Sequence, residues 1–244
     1  MKDWKLCSLL FTTTNDYESN LQSLLDLIKS TPQNSLIVAP EVCLTGFDYN
    51  NFDDVKNFAQ GAIEKIKKAS YNKIIILTII QTIDSKVYNV AKLFYNGEVV
   101  YERAKARLFR FGGEEKYFSE GNDRDIEIVK VAGIKIAILI CFELRFKDLW
   151  KKCEGADVIA TPSWWGVLRA EHFKAFTYTL AIMNQCYVVA SDSLNEECSR
   201  MSGIINPMGK EYRNGNIACL EEPYDIKVIQ KMRRYMDVGI DEDG

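Results

Sequence analysis

The apolar run Val131-Ala-Gly-Ile-Lys-Ile-Ala-Ile-Leu-Ile140 constrains this chain more than any other segment. A stretch so rich in isoleucine predicts a strand buried on both faces, as in sheets that helices cover. The run stops at Cys141 and gives way to the charged segment Phe142-Glu-Leu-Arg-Phe-Lys147. The thiol therefore stands where the chain leaves the sheet. In α/β folds ligands bind outside the carboxyl ends of the strands, and a nucleophile on a sharp strand-to-helix turn is held exposed at the lip of the sheet. The competing reading is a structural thiol, because free cysteines are often fully buried.

Around this run, strand-like and helix-like segments alternate. Leu6 to Thr12 is β-prone, and Asn15 to Ser30 carries a helical stripe at Leu21, Leu24, Leu25 and Ile28. Ser35 to Val38 predicts a short buried strand leading to Ala39-Pro40-Glu41. Asp53 to Ser70 has acids in its first turn and lysines in its last, as the helix dipole favours. Lys73 to Thr82 is strongly β-prone, and Val87 to Tyr95 and Glu98 to Arg103 meet at Asn96-Gly97, a hairpin signal. The second half predicts strands at 126–131, 134–140, 158–161, 187–191, 202–206 and 217–220, and helices from about Phe146, over 170–184 and over 224–236. This grammar predicts mixed sheets covered by helices. With no Pro- or Gly-rich linker in 244 residues, a single domain over 1–244 is expected.

A formal charge of −3, with lysines scattered, gives no basis for a nucleic-acid or membrane-surface partner. No apolar stretch is long enough to cross a bilayer, and the N-terminus lacks the pattern of a secretory signal. The seven cysteines are odd in number and irregular in spacing, with no two-residue gap of a zinc or redox motif. Free thiols and a cytoplasmic location are expected.

Three strand ends bear chemistry. Glu41 follows 36–38, Lys105 follows 99–103 and Cys141 follows 134–140. Taken singly, Glu41 reads as a capping acid and Lys105 as a solvated loop residue. If the strands are neighbours, a carboxylate, an ammonium and a thiol share one rim. The chain has one histidine, His172, near the start of a predicted helix. Zinc hydrolysis would lack ligands, and His172 reads as a packing or substrate-lining residue. A nucleophilic Cys141 therefore needs a carboxylate as its base. Burial raises a glutamate's pKa towards neutrality, and an adjacent ammonium stabilises thiolate and oxyanion alike.

On these residues the chain resembles the carbon–nitrogen hydrolase (nitrilase) superfamily, nearly end to end. Ala39-Pro-Glu-Val-Cys-Leu-Thr-Gly-Phe47 is similar to the family's general-base segment, and Lys105-Ala-Arg-Leu-Phe109 to its lysine motif. Gly113-Glu-Glu-Lys-Tyr-Phe-Ser-Glu-Gly121 resembles the loop of its second glutamate, and Cys141-Phe-Glu-Leu-Arg-Phe146 the nucleophile motif. Gly155-Ala-Asp157, Pro162-Ser-Trp164, Asn184-Gln-Cys-Tyr-Val188 and Ser202-Gly-Ile-Ile-Asn-Pro-Met-Gly209 extend the match. The resemblance implies an αββα sandwich with two mixed sheets, paired into a homodimer or higher homo-oligomer. It makes Cys141 the nucleophile, Glu41 its base and Lys105, with the backbone N–H of Phe142, the oxyanion site. Glu114 becomes the second glutamate, with Glu115 the register alternative. No cofactor or metal is required.

The chain departs from the pattern at Arg103 and Arg107, where the family often has Tyr and His. It departs also at Leu180-Ala-Ile-Met-Asn184 and at Arg200, where a glycine is usual. Expected substrate contacts are Phe142, Glu143, Arg145, Trp164, Trp165, Arg169 and His172, with Arg145 and Arg169 suited to a carboxylate. An ion pair with Glu143 or an interface position for Arg145, and a core or interface role for the tryptophans, are the structural alternatives. The Cys-aromatic-acid-Leu-Arg-Phe motif is similar to that of ω-amidases, which deaminate short dicarboxylic acid monoamides. N-carbamoyl amidase, aliphatic amidase and nitrilase are the alternatives within the superfamily. A non-catalytic binding protein on the same fold is the alternative outside it, and a metal-dependent nuclease or phosphatase is disfavoured by the single histidine.

Overall fold

The computed structural model describes residues 3–240; Met1, Lys2 and 241–244, the ends of the expected domain, lie outside the described residues. Six strands form the first sheet: β1 (Lys5–Leu9), β2 (Ser35–Val38), β3 (Lys73–Ile83), β4 (Lys86–Tyr95), β5 (Glu98–Ala104) and β12 (Cys219–Pro223). Their order is β12-β1-β2-β3-β4-β5. The second sheet holds β6 (Val129–Val131), β7 (Ile134–Ile138), β8 (Val158–Ser163), β9 (Tyr187–Asp192), β10 (Gly203–Ile205) and β11 (Glu211–Tyr212), in the order β11-β10-β9-β8-β7-β6. Each sheet is mixed. β1, β2 and β3 run parallel, as do β7, β8 and β9, and antiparallel strands flank both sets.

The sheets pack face to face. Leu6, Leu10, Leu36, Val38, Ile74 and Ile76 point from the first sheet into one core with Ile136, Ile138, Val158, Ala160 and Val189 of the second. The alternate residues Cys7, Leu9, Ile37, Ile75 and Leu77 face outwards. There they are covered by α1 (Tyr17–Ser30) and α2 (Phe52–Ala69) through Leu21, Leu24, Ile28, Ala62 and Ile66. Buried strands with side chains on both faces occupied explain the continuous apolar runs. On the second sheet α3 (Lys147–Lys151), α4 (Ala170–Met183) and α5 (Ile226–Tyr235) supply the outer layer, with Leu149, Phe173, Leu180 and Ile229 in the same core. The result is the expected four-layer αββα sandwich. Polar bonds also cross the interface: Ser8 Oγ donates to Ala190 O (2.8 Å) and Ser191 Oγ to Leu9 O (2.6 Å). Among the described residues no helix is long and apolar enough to cross a membrane.

The main differences from the sequence reading lie at edges and turns. The strand expected over 126–131 is confined to Val129–Val131, after a 3₁₀ turn at Asp123–Asp125 capped by Asn122. The helix expected from Phe146 is a short element, because a 3₁₀ turn at Cys141–Arg145 takes up the preceding chain. The strand expected at 217–220 is β12, shifted by its antiparallel register with β1, in which Leu9 faces Cys219 and Lys5 faces Pro223. Proline is tolerated there because β12 is an edge strand. The Asn96-Gly97 hairpin forms with both residues at positive φ, 49° and 87°, as a tight two-residue turn demands.

Arg200, which replaces a customary glycine, sits at φ 56°. Its left-handed backbone lets its N–H donate to Asp192 Oδ2. A β-carbon is strained in that region. Arg200→Gly is therefore expected to raise unfolding stability by about 0.5–1 kcal/mol, read from urea denaturation midpoints at unchanged slope; an unchanged or lowered midpoint contradicts the strain.

Candidate active site

Four chain segments leaving the sandwich at one end form the site. Glu41 lies three residues beyond β2, Lys105 directly follows β5, Glu114 opens a 3₁₀ turn after Gly113, and Cys141 follows β7 and the buried Leu139-Ile140. Two of these turns are conformationally strained. Val42 has φ 41° and Cys141 φ 46°, uncommon for residues with a β-carbon. Val42 N donates to the buried Thr78 Oγ1 of β3 (2.7 Å), and Glu41 N donates to Ser163 O of β8 (3.2 Å), so contacts from both sheets fix the turn.

Lys105 is fully buried and its ammonium is shared. Nζ donates to Glu41 Oε1 (2.8 Å) and to Glu114 Oε1 (2.9 Å). Burial alone would push this ammonium towards neutrality, but Glu41 and Glu114 outweigh it and hold its pKa above the usual lysine range. Glu114 Oε2 accepts from Phe109 N (3.0 Å), which closes the loop over the lysine. Glu114 is buried whereas Glu115 is exposed, so only Glu114 reaches Lys105.

Glu41 has no exposed surface. Its Oε1 also accepts from Asn89 Nδ2 of β4 (2.8 Å), while Oε2 is buried without a hydrogen-bond partner among the described residues. Burial raises its pKa, opposed in part by Lys105. The Cys141 thiol donates a long bond to Trp164 O (3.7 Å). Burial, then the negative charge of Glu41, raise its pKa well above the ordinary cysteine value, so at rest it is a neutral thiol. A proton acceptor, a proton donor and a fixed cation thus share one buried enclosure. Such a set can take a proton from sulfur and stabilise negative charge on a neighbouring oxygen.

The thiol opens on a narrow cleft of about 20 Å³, walled by Phe109, Phe142, Arg145, Trp164, Trp165 and Arg169. Arg145 stacks over Trp165 (5.1 Å) and Phe176 (5.3 Å), and Arg169 over Phe109 (5.2 Å). Among the described residues neither guanidinium forms a salt bridge. Burial and the charge of Arg169 lower the Arg145 pKa. His172 is exposed and outside the cleft wall; its Nδ1 lies 3.1 Å from Arg145 Nη2, so it meets the cleft only through that arginine.

Glu143 is not a cleft residue. It is fully buried and bonded to Arg103, not to Arg145, and its carboxylate is filled by two backbone N–H groups besides. Trp165 is a core residue as well as a wall: its ring packs on Phe173, its Nε1 donates to Arg169 O and its N to Asp192 Oδ1. Asn89 and Asp192 were not singled out from sequence. An isolated asparagine inside the β-prone run Val87–Tyr95 was the available signal for Asn89; nothing local marked Asp192.

A larger groove of about 1020 Å³ adjoins the cleft at Trp164, and Asp16, Glu18, Asp48, Asp54 and Glu197 line it. Elsewhere, the Cys7 and Cys219 thiols and the Glu221 carboxylate lie within 4.8 Å of one another across β1 and β12, the one set of ligand-type side chains among the described residues grouped closely enough for a metal ion. None of them lines the cleft.

The model of the carbon–nitrogen hydrolase family matches residues 6–212, most of the chain. This chain belongs to the carbon–nitrogen hydrolase family. This hydrolase is 29% identical over 198 residues to a 2-oxoglutaramate amidase of Bacillus subtilis (strain 168), covering 77% of this chain and 76% of that protein. It is 25% identical over 240 residues to an omega-amidase of Yersinia enterocolitica, covering 93% and 92%. The solved structure of Saccharomyces cerevisiae Nit3, a member of branch 10 of the nitrilase superfamily, superposes with a TM-score of 0.83 at 21% identity, covering 100% of this chain and 97% of that one. At that identity the likeness speaks for the fold.

With Glu41 as the base, the role proposed below, its raised pKa sets a pH dependence. A carboxylate that must be ionised to accept a proton loses that capacity as pH falls through its own pKa. The acid limb of kcat/KM for this hydrolase is therefore expected above the ordinary glutamate value of about 4.3. A profile measured from pH 4 to 9 with the limb at or below that value contradicts the burial argument.

Proposed function

We propose that this hydrolase is a cysteine-dependent amidase that converts a small amide to its acid and ammonia through a thioester, with short dicarboxylic acid monoamides as the favoured substrates. The observation that carries the chemistry is the buried Lys105 ammonium joining Glu41 and Glu114 in the enclosure of Cys141. Glu41 takes the thiol proton as sulfur attacks the amide carbon. The carbonyl electron pair moves to oxygen, where Lys105 and the Phe142 N–H receive the negative charge. Collapse expels the amine nitrogen, which leaves as ammonia with the proton held by Glu41. Water then attacks the thioester, Glu41 removes its proton, and the acid departs as that proton returns to sulfur. Glu114 keeps Lys105 charged and placed.

The acyl group is assigned from the cleft. Arg145 and Arg169 are two neighbouring cations without carboxylate partners among the described residues, and an anionic substrate relieves their repulsion. The names of the amidases related at 25–29% identity agree with this substrate class. Seven unpaired cysteines support a cytoplasmic location. The exposed Tyr178 and Met183 of α4, with the exposed Met208 next to Gly209, which lies against Tyr178, support pairing into a homodimer or higher homo-oligomer. The whole chain, 1–244, is taken as one hydrolase domain.

Ammonia release from the purified protein tests the proposal against ω-amides, N-carbamoyl compounds, aliphatic amides and nitriles. Turnover concentrated on short dicarboxylic monoamides is expected, and Cys141→Ala is expected to abolish it with the fold intact. Carbamoyl, aliphatic or nitrile turnover instead keeps the mechanism and overturns the substrate class. Activity retained in Cys141→Ala overturns the mechanism, and silence across the panel favours the non-catalytic binding protein. Arg145→Met is expected to raise KM for the monoamide by about 10- to 100-fold, the loss of a charged hydrogen bond of about 1.5–3 kcal/mol; an unchanged KM removes Arg145 from carboxylate binding.

A further inference from the structure

Lys105 belongs to the first sheet and Cys141 to the second, so the reaction depends on how the two sheets are held together at this end. β5 is an edge strand, paired on one side with β4, and that pairing ends at Val90–Ala104. One pair of side chains crosses from there to the nucleophile turn. Arg103 Nη1 donates to Glu143 Oε1 (2.9 Å) and Nη2 to Glu143 Oε2 (2.5 Å), and both side chains are fully buried. Arg103 Nη2 also donates to Ile138 O, the last residue of β7 (2.7 Å). Glu143 in turn accepts from Ala106 N (2.7 Å), the residue after Lys105, and from Ile140 N (2.7 Å), the residue before Cys141. A single carboxylate thus grips the backbone next to each of the two groups.

We propose that Arg103 and Glu143 are positioning residues that fix the Lys105 ammonium relative to the Cys141 sulfur. The proposal rests on the amidase reading of those two groups and adds a part that the nucleophile, base and lysine do not supply. Arginine suits the task because its planar fork meets both carboxylate oxygens at once, which a lysine or tyrosine cannot do. Neither residue lines the cleft that holds the thiol. Its effect is therefore on the chemical step more than on substrate binding.

Arg103→Met and Arg103→Lys test this. Folded Arg103→Met is expected to lose about 10- to 100-fold in kcat, the scale of a misplacement of about 1 Å, with KM within about threefold of wild type. Arg103→Lys is expected to recover part of the loss. Carbamidomethylation of Cys141 by iodoacetamide is expected to slow in both, because a displaced ammonium stabilises the thiolate less. Wild-type kcat in folded Arg103→Met overturns the proposal, whatever its melting temperature. If circular dichroism finds Arg103→Met unfolded, Arg103→Lys decides: wild-type kcat and labelling rate in it overturn the proposal equally. The labelling arm needs no substrate. Wild-type protein that labels Cys141 selectively yet turns over no amide defeats the amidase reading, while the ratio of variant to wild-type labelling still decides the pair.

Discussion

A lysine ammonium with no access to water is the constraint around which this end of the molecule is organised. An isolated charge in such a place would neutralise or unfold the site, so Lys105 has to be met by carboxylates. Glu41 and Glu114 meet it, and they come from the end of β2 and from the turn after Gly113. The cost of burying three ionisable groups is offset because the ammonium has two carboxylates and each carboxylate is bonded to more than its charge partner. Asn89 shares Glu41, and the Phe109 N–H holds Glu114. Cys141, pressed against this cluster, stays a neutral thiol at rest, which keeps a further negative charge out of the enclosure.

The sandwich delivers these groups to one place through the direction of its strands. β1–β3 and β7–β9 are parallel within their sheets, so carboxyl ends collect on common rims. The bond from Glu41 N to Ser163 O joins the rims across the interface. Strain then appears where side chains must be turned inwards, at Val42 and Cys141, and is sustained by buried partners such as Thr78 and Glu143. Asp192 performs a similar service for the cleft wall. It accepts from Trp165 N, Ser199 Oγ and Arg200 N, and so ties the tryptophan pair to the loop before β10.

Charge is sorted by depth. The floor pairs its ammonium with carboxylates, whereas the wall leaves Arg145 and Arg169 against aromatic rings instead of acids. Rings accept a guanidinium face while leaving its N–H edges free. Arg103 looks similar in sequence and does the opposite work, because its acid lies within bonding distance.

The sequence by itself determined the α/β class, the order of nearly all strands and helices, and the identity of the chemical groups. Isoleucine-rich runs have few alternatives to buried strands, and Glu41, Lys105 and Cys141 each follow a strand that its local pattern predicts. What only the tertiary structure decided is which groups meet. Glu114 and Glu115 are adjacent in the chain, and local pattern does not separate them; burial of one beside Lys105 does. Glu143 reads as a neighbour of Arg145 along the chain, yet a 3₁₀ turn sends it inwards to Arg103, 40 residues away in sequence. Asn89 and Asp192 carry no local mark because their partners lie on other strands. Strand formation is governed by local pattern, whereas long-range pairing of buried polar groups is settled by sheet order and register, which no short window of sequence contains.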